Sequence, residues 1–245
     1  MQKNQVLWIS HRGYHAQAVE NTAAAFDAAV AAGFTHLETD LRCTLDGHIV
    51  LNHDPDLVKT CKSPLLIEHS RWNDLQALRT RDGQTLLSFE DFIDYYAGFS
   101  WTFDIKPETA RTVITGLLTW VKGKKAESWF KDQARFLCWS RKDEQYLLQV
   151  FPRAKTLARS SACYRAGLAV LTHLPWMGGI QSGKVYALPR FFAGCDLYAR
   201  PIAEAYQRRG ARVLAYLPER DDDAMAALDA GFDEVLTNFL PLSLS

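Results

Sequence analysis

Glu38 and Asp40 stand two apart in the run FTHLETDL, inside a stretch, Thr35 to Leu41, whose β-branched and apolar residues predict a strand. Alternate residues of a strand share a face, so His36, Glu38 and Asp40 point one way while Leu37, Thr39 and Leu41 point the other. On an exposed antiparallel strand two such acids are an ordinary solvated face. On a parallel strand, covered on both sides, neighbouring carboxylates are costly unless a proton or a cation compensates them. A hard divalent cation answers that need, because Mg²⁺ and Ca²⁺ prefer carboxylate oxygens. A third acid, Asp104, lies late in another apolar run, WTFDIK, on one face with Lys106. It either completes a three-carboxylate site or forms a strand-end salt bridge.

Two histidines follow short apolar runs, His11 in ISHRG and His53 in IVLNHD. Taken singly, each reads as a structural residue. Taken together they supply the base and the acid that cleavage of a phosphodiester requires, since imidazole does either near neutral pH. Arg12 and Lys106 carry the positive charge that would meet the non-bridging phosphate oxygens.

These residues have to be held by elements, and the chain alternates them. Val6 to Ile9, Thr35 to Leu41, Trp101 to Ile105, Phe136 to Trp139, Val185 to Leu188, Val213 to Tyr216 and Glu234 to Thr237 read as strands separated by helical patterns, which implies a parallel sheet. Asn21 or Thr22 is the N-cap expected before TAAAFDAAVAA, with Gly33 at its end. Ser88 and Asp91 form a capping pair before FIDYYAG; Tyr198 to Arg209 and Asp221 to Ala230 stop at Gly210 and Gly231. The expectation is one domain over residues 1–245, a (β/α)8 barrel of α/β class, with a polar insertion at about 54–84 over the C-terminal mouth. Residues 155–182 do not resolve into clear elements, so the strand count there stays open.

Lys plus Arg equals Asp plus Glu at 28 each, leaving no global field to attract nucleic acid. Five scattered cysteines without framework spacing favour a reducing compartment, and no run approaches a membrane span, so a cytoplasmic protein without stable membrane insertion is expected. Nothing in the sequence names a protein partner.

HRG at His11 to Gly13, ENT at Glu20 to Thr22, ETD at Glu38 to Asp40, LDG at Leu45 to Gly47, and His53-Asp54 resemble in order and spacing the glycerophosphodiester phosphodiesterase family. The likeness continues through SFEDFI, FDIKPE, GARVLAY and GFDEVLTN. It implies metal-dependent hydrolysis of a small-molecule glycerophosphodiester to glycerol 3-phosphate and an alcohol. By the resemblance the catalytic pair falls on His11 and His53, and the ligands of Mg²⁺ or Ca²⁺ on Glu38, Asp40 and Asp104. The phosphate-binding residues fall on Arg12 and Lys106, and Glu20 and Asn21 fall in a motif that orients the groups contacting metal and substrate. Two other readings stand beside it: a related phosphodiesterase acting on lysophospholipids, marked by an exposed apolar patch on the insertion, and a degenerate barrel that binds without turnover. The chain departs from the pattern at Asp104, where the family commonly has Glu. It departs also after Tyr216, where Leu217, Pro218 and Glu219 replace Thr-Val-Asn, and at Asn238 in place of Asp. None of these touches the histidine pair; they bear on substrate preference.

Overall fold

The structure, a computed structural model, describes residues 6–14 and 18–239. It divides into two compact units, Ser10–Lys155 and Met1–Ile9 with Thr156–Ser245. Strand β1 (Leu7–His11) gives its start to the second and its end to the first.

In the first unit, β2 (His36–Cys43), β4 (Ser100–Ile105) and β5 (Ala134–Cys138) run parallel and adjacent. A short strand, β3 (Ile49–Leu51), turns back antiparallel on the end of β2. All eight residues of β2 are buried, which only a strand covered on both faces allows. One face of the sheet carries Leu37, Leu41, Trp101, Phe103 and Ile105 against helices α1 (Ala23–Ala31) and α2 (Phe89–Tyr96). Phe92 sits 4.4 Å edge-on to Trp101 and 4.6 Å from Phe26, tying both helices to that face. Burying each such ring is worth about 1.5–3 kcal/mol, enough to fix which side of β2 faces out. Glu38, Asp40, Thr102 and Asp104 are thereby turned to the other side. Asp40 and Asp104 are direct partners in the β2–β4 register.

Helix α1 starts as its sequence predicts: Thr22 Oγ1 accepts from the Ala25 amide, and Gly33 ends it in the left-handed region. Ser88 caps α2 through the Asp91 amide. The 54–84 stretch holds a small two-stranded sheet and short helical turns, with Leu57, Ile67 and Leu75 buried beside Val50 and Leu86. Leu66 and Trp72 are partly buried and Leu65 is 40% exposed. Most apolar residues of the insertion therefore anchor it, while Val58 and Leu65 stay exposed.

In the second unit, β7 (Val185–Leu188), β8 (Arg212–Tyr216) and β9 (Glu234–Thr237) are parallel, with helix Ser160–Leu171 before β7, Arg200–Gln207 between β7 and β8, and Asp221–Asp229 between β8 and β9. Tyr186, Tyr206, Val213, Val235 and Phe232 build its core. The strand unclear in the sequence is β6 (Lys155–Thr156), next to β5 in the sheet order and only two residues long, too short to carry any periodicity. The helix expected from Tyr198 begins instead at Arg200, because Ala199 is extended and Pro201 occupies the first turn, where its fixed φ suits a helix start. With β6 counted, strand and helix alternate as in the parallel (β/α)8 barrel class. Among the described residues no helix is long and apolar enough to cross a membrane.

The turn after β1 depends on one glycine. Gly13 has φ +85°, and a Cβ there would stand 2.6 Å from the backbone carbon of Ala25 in α1. Gly13→Ala should therefore destabilise the protein by about 2 kcal/mol or more, combining left-handed strain with overpacking. Urea unfolding checks this; an unchanged midpoint and slope would contradict it.

Candidate active site

Glu38, Asp40 and Asp104 each offer an oxygen within 4.8 Å of the others, and all three are buried. Two cations are built into the same cluster. Lys106 Nζ lies 2.8 Å from Asp40 Oδ1 and 2.6 Å from Asp104 Oδ2, bridging the register partners. Arg12 Nε is 2.9 Å from Asp40 Oδ2, and its NH1 is 3.1 Å from Glu20 Oε1. The Arg12 amide points back to β2, 3.0 Å from the Glu38 carbonyl and 3.2 Å from Glu38 Oε2.

Asn21 Nδ2 donates to Asp40 Oδ2 at 2.9 Å, and its carbonyl accepts from Thr39 Oγ1 at 2.8 Å. Arg12 and Asn21 both have positive φ, near +56° and +60°, a conformation that costs a non-glycine residue about 1 kcal/mol or more and often marks functional turns. Glu20 is shared between Arg12 and Lys59 Nζ, the latter reaching in from the insertion at 3.1 Å.

Charge balance sets the protonation. Burial, then the neighbouring Asp40, hold the Glu38 carboxyl well above the usual carboxylate range. Asp40 is buried as deeply, yet Lys106 and Arg12 outweigh that cost and keep it below its ordinary value. For Asp104 burial prevails over Lys106 and the value rises. Lys106 and Arg12 are themselves raised, their burial outweighed by the acids around them. Four carboxylates against the heads of Arg12, Lys106 and Lys59 leave one negative charge in excess when all are ionised. A buried, oxygen-only donor set with surplus negative charge fits a hard divalent cation.

His11 ends β1 and is 7% exposed, one residue from the amide that contacts Glu38. His53 follows β3. The Asn52 amide donates to the Asp40 carbonyl at 3.2 Å, which sets the next residue beside β2, and His53 Nδ1 lies 2.7 Å from Asp54 Oδ1.

Two further residues escape the sequence reading. Arg42, on β2 and 4% exposed, sends both Nε (2.9 Å) and NH2 (2.7 Å) to the His53 carbonyl, while NH1 reaches Glu108 at 3.2 Å. Trp139 donates its indole N–H to Asp104 Oδ1 at 2.7 Å. A position just past the end of a parallel strand is where such a signal lies.

A family model described as the glycerophosphoryl diester phosphodiesterase family matches residues 11–242. A glycerophosphodiester phosphodiesterase of Caldanaerobacter subterraneus is 21% identical over 96% of this chain and 94% of its own. A probable glycerophosphodiester phosphodiesterase of Mycobacterium tuberculosis is 29% identical over 42% of this chain, and the match spans only 39% of that relative. Among solved structures, a glycerophosphoryl diester phosphodiesterase domain from Mycobacterium tuberculosis superposes with a TM-score of 0.80 at 15% identity, covering 98% of both chains. An Oleispira antarctica phosphodiesterase, solved with the product sn-glycerol-3-phosphate, gives 0.72 at 19% identity over 97% of this chain and 94% of that one. At such identity the structural likeness shows the fold.

Arg42→Ala should release the His53 carbonyl and remove two part-buried, charge-assisted hydrogen bonds, at a cost of about 1–3 kcal/mol. Amide exchange at Asn52 should accelerate. Arg42→Lys should recover only part, because one ammonium does not reproduce the two-armed contact. Unchanged exchange in the alanine variant would contradict this role.

Proposed function

Because the chain belongs to the glycerophosphoryl diester phosphodiesterase family, we propose that it hydrolyses glycerophosphodiesters to glycerol 3-phosphate and an alcohol in a reaction that depends on a divalent cation. The observation that carries this is the buried trio Glu38, Asp40 and Asp104 with Lys106 and Arg12 interleaved among its oxygens. Glu38, Asp40 and Asp104 would hold Mg²⁺ or Ca²⁺, which when bound neutralises charge developing on the phosphoryl oxygens. A divalent charge would convert the surplus of one negative charge into one positive charge, matched to a phosphodiester monoanion. Arg12 and Lys106, held in place by the acids they pair with, contact the non-bridging oxygens.

His11 and His53 divide the proton transfers. Asp54 accepts a hydrogen bond from the protonated Nδ1 of His53, which leaves Nε2 as its basic nitrogen. A glycerophosphodiester carries a hydroxyl beside the ester, and such an internal nucleophile gains an effective concentration that water lacks. One histidine deprotonates that hydroxyl as it attacks phosphorus; the other protonates the departing alkoxide. A cyclic glycerol phosphate forms and is opened by water with the roles reversed. Glu20 and Asn21 orient Arg12 and Asp40. A single domain and a cytoplasmic setting complete this reading.

A panel of glycerophosphodiesters assayed by release of glycerol 3-phosphate tests the activity. Exhaustive chelation should abolish turnover and a divalent cation restore it; full turnover without cation would overturn the metal requirement. A proton on Glu38, favoured by its raised value, competes with the cation. Cation affinity should therefore rise with pH, by up to about tenfold per unit while one proton is displaced.

His11→Ala and His53→Ala should each lower kcat by about 10² to 10⁴ and leave cation binding nearly intact. A substrate analogue lacking the neighbouring hydroxyl should react far more slowly. Equal rates would replace the cyclic route by direct attack of water.

A further inference from the structure

Asp104 is held from two sides by donors of different kinds. Lys106 is charged, shared with Asp40, and lies 2.6 Å from Oδ2; Trp139 is neutral and its N–H lies 2.7 Å from Oδ1. The distinction matters to a cation ligand. A charged donor fixes a carboxylate but cancels part of the charge that attracts a cation. A neutral donor fixes its direction and leaves that charge in place. Each carboxylate oxygen has two lone-pair sites, so the indole bond leaves Oδ1 able to bind a metal.

Trp139 is well placed to be rigid. Cys138 before it closes β5 and is buried, and Ser140 after it caps helix Arg141–Val150 through the Asp143 amide. The backbone is pinned on both sides while the side chain stays 49% exposed, a poor use of a large apolar ring if packing were its role. Its ring centroid lies 5.6 Å from Lys106 Nζ, within cation–π range, which keeps the ammonium alongside.

We propose that Trp139 is a positioning residue for the divalent cation: its indole N–H fixes the Asp104 carboxylate in a ligating direction that Lys106 alone would pull away from the cation. This rests on the cation reading given above. It assigns the residue no contact with the reacting atoms.

The test is calorimetric titration of the chelator-stripped protein with Mn²⁺, comparing wild type with Trp139→Phe, which keeps a ring beside Lys106 and removes only the donor. Trp139→Phe should bind Mn²⁺ about 10- to 100-fold more weakly, the usual loss when a partner behind a metal ligand is removed. Its melting temperature without cation should fall by no more than about a few degrees, since a ring is kept and only the hydrogen bond to Asp104 Oδ1 is lost. Its turnover deficit should close as Mn²⁺ is raised. Trp176→Phe, at a 67% exposed tryptophan in the other unit, serves as the control and should bind as wild type does. Affinity of Trp139→Phe within twofold of wild type would overturn the proposal. A wild-type protein that takes up no Mn²⁺ would instead overturn the cation reading beneath it.

Discussion

Two carboxylates in direct register on adjacent buried strands repel each other, and the architecture around Asp40 and Asp104 follows from that repulsion. Ionised acids this close in a poorly solvated interior are tolerated only with compensating charge. Lys106 bridges them, Arg12 approaches Asp40 from the turn after β1, and Asn21 donates to the same oxygen. Burial, then the neighbouring Asp40, hold the Glu38 carboxyl above its ordinary value despite these cations. The positive φ angles at Arg12 and Asn21 belong to the same account, since those turns deliver a guanidinium and an amide to one carboxylate. A site tuned only for stability would put apolar residues there.

The fold supplies the rigidity that makes such spacing possible. The aromatic layer of Phe26, Phe92, Trp101 and Phe103 fixes the outward face of β2 and β4, and strand alternation then leaves the acids no choice of side. Slipping either strand by one residue would expose the rings' positions to charge and bury the acids among apolar side chains. The stability of the sheet and the convergence of the site are thus consequences of one register. Arg42 extends the same logic, since a side chain of β2 holds the backbone of His53.

How much of this the sequence shows depends on the range of the interaction. Spacing of two puts Glu38 with Asp40, and Asp104 with Lys106, because strand alternation is local. That Asp104 pairs with Asp40 is a matter of register between strands some sixty residues apart in the chain, which spacing does not report. The caps at Thr22 and Ser88 are legible for the same local reason, and the two-residue strand at Lys155 is not, since two residues hold no period. Arg42 and Trp139 show a further limit. An arginine beside an apolar run and a tryptophan at a strand end carry no mark of their targets, a backbone carbonyl and a carboxylate oxygen that only folding brings near. The ordered motifs from His11 to Asp54 compensate for part of this, being short runs whose sequence order survives even where their contacts are invisible.

In the proposed function the acidic trio and its two cations act as one preorganised centre for a divalent ion and a phosphate. Anomalous diffraction from crystals soaked with Mn²⁺ and glycerol 3-phosphate addresses it most directly. One Mn²⁺ peak should lie in contact with oxygens of Glu38, Asp40 and Asp104, with the phosphate against Arg12 and Lys106. A Mn²⁺ peak found only elsewhere, with Lys106 still bridging Asp40 and Asp104 and no phosphate beside it, would contradict it.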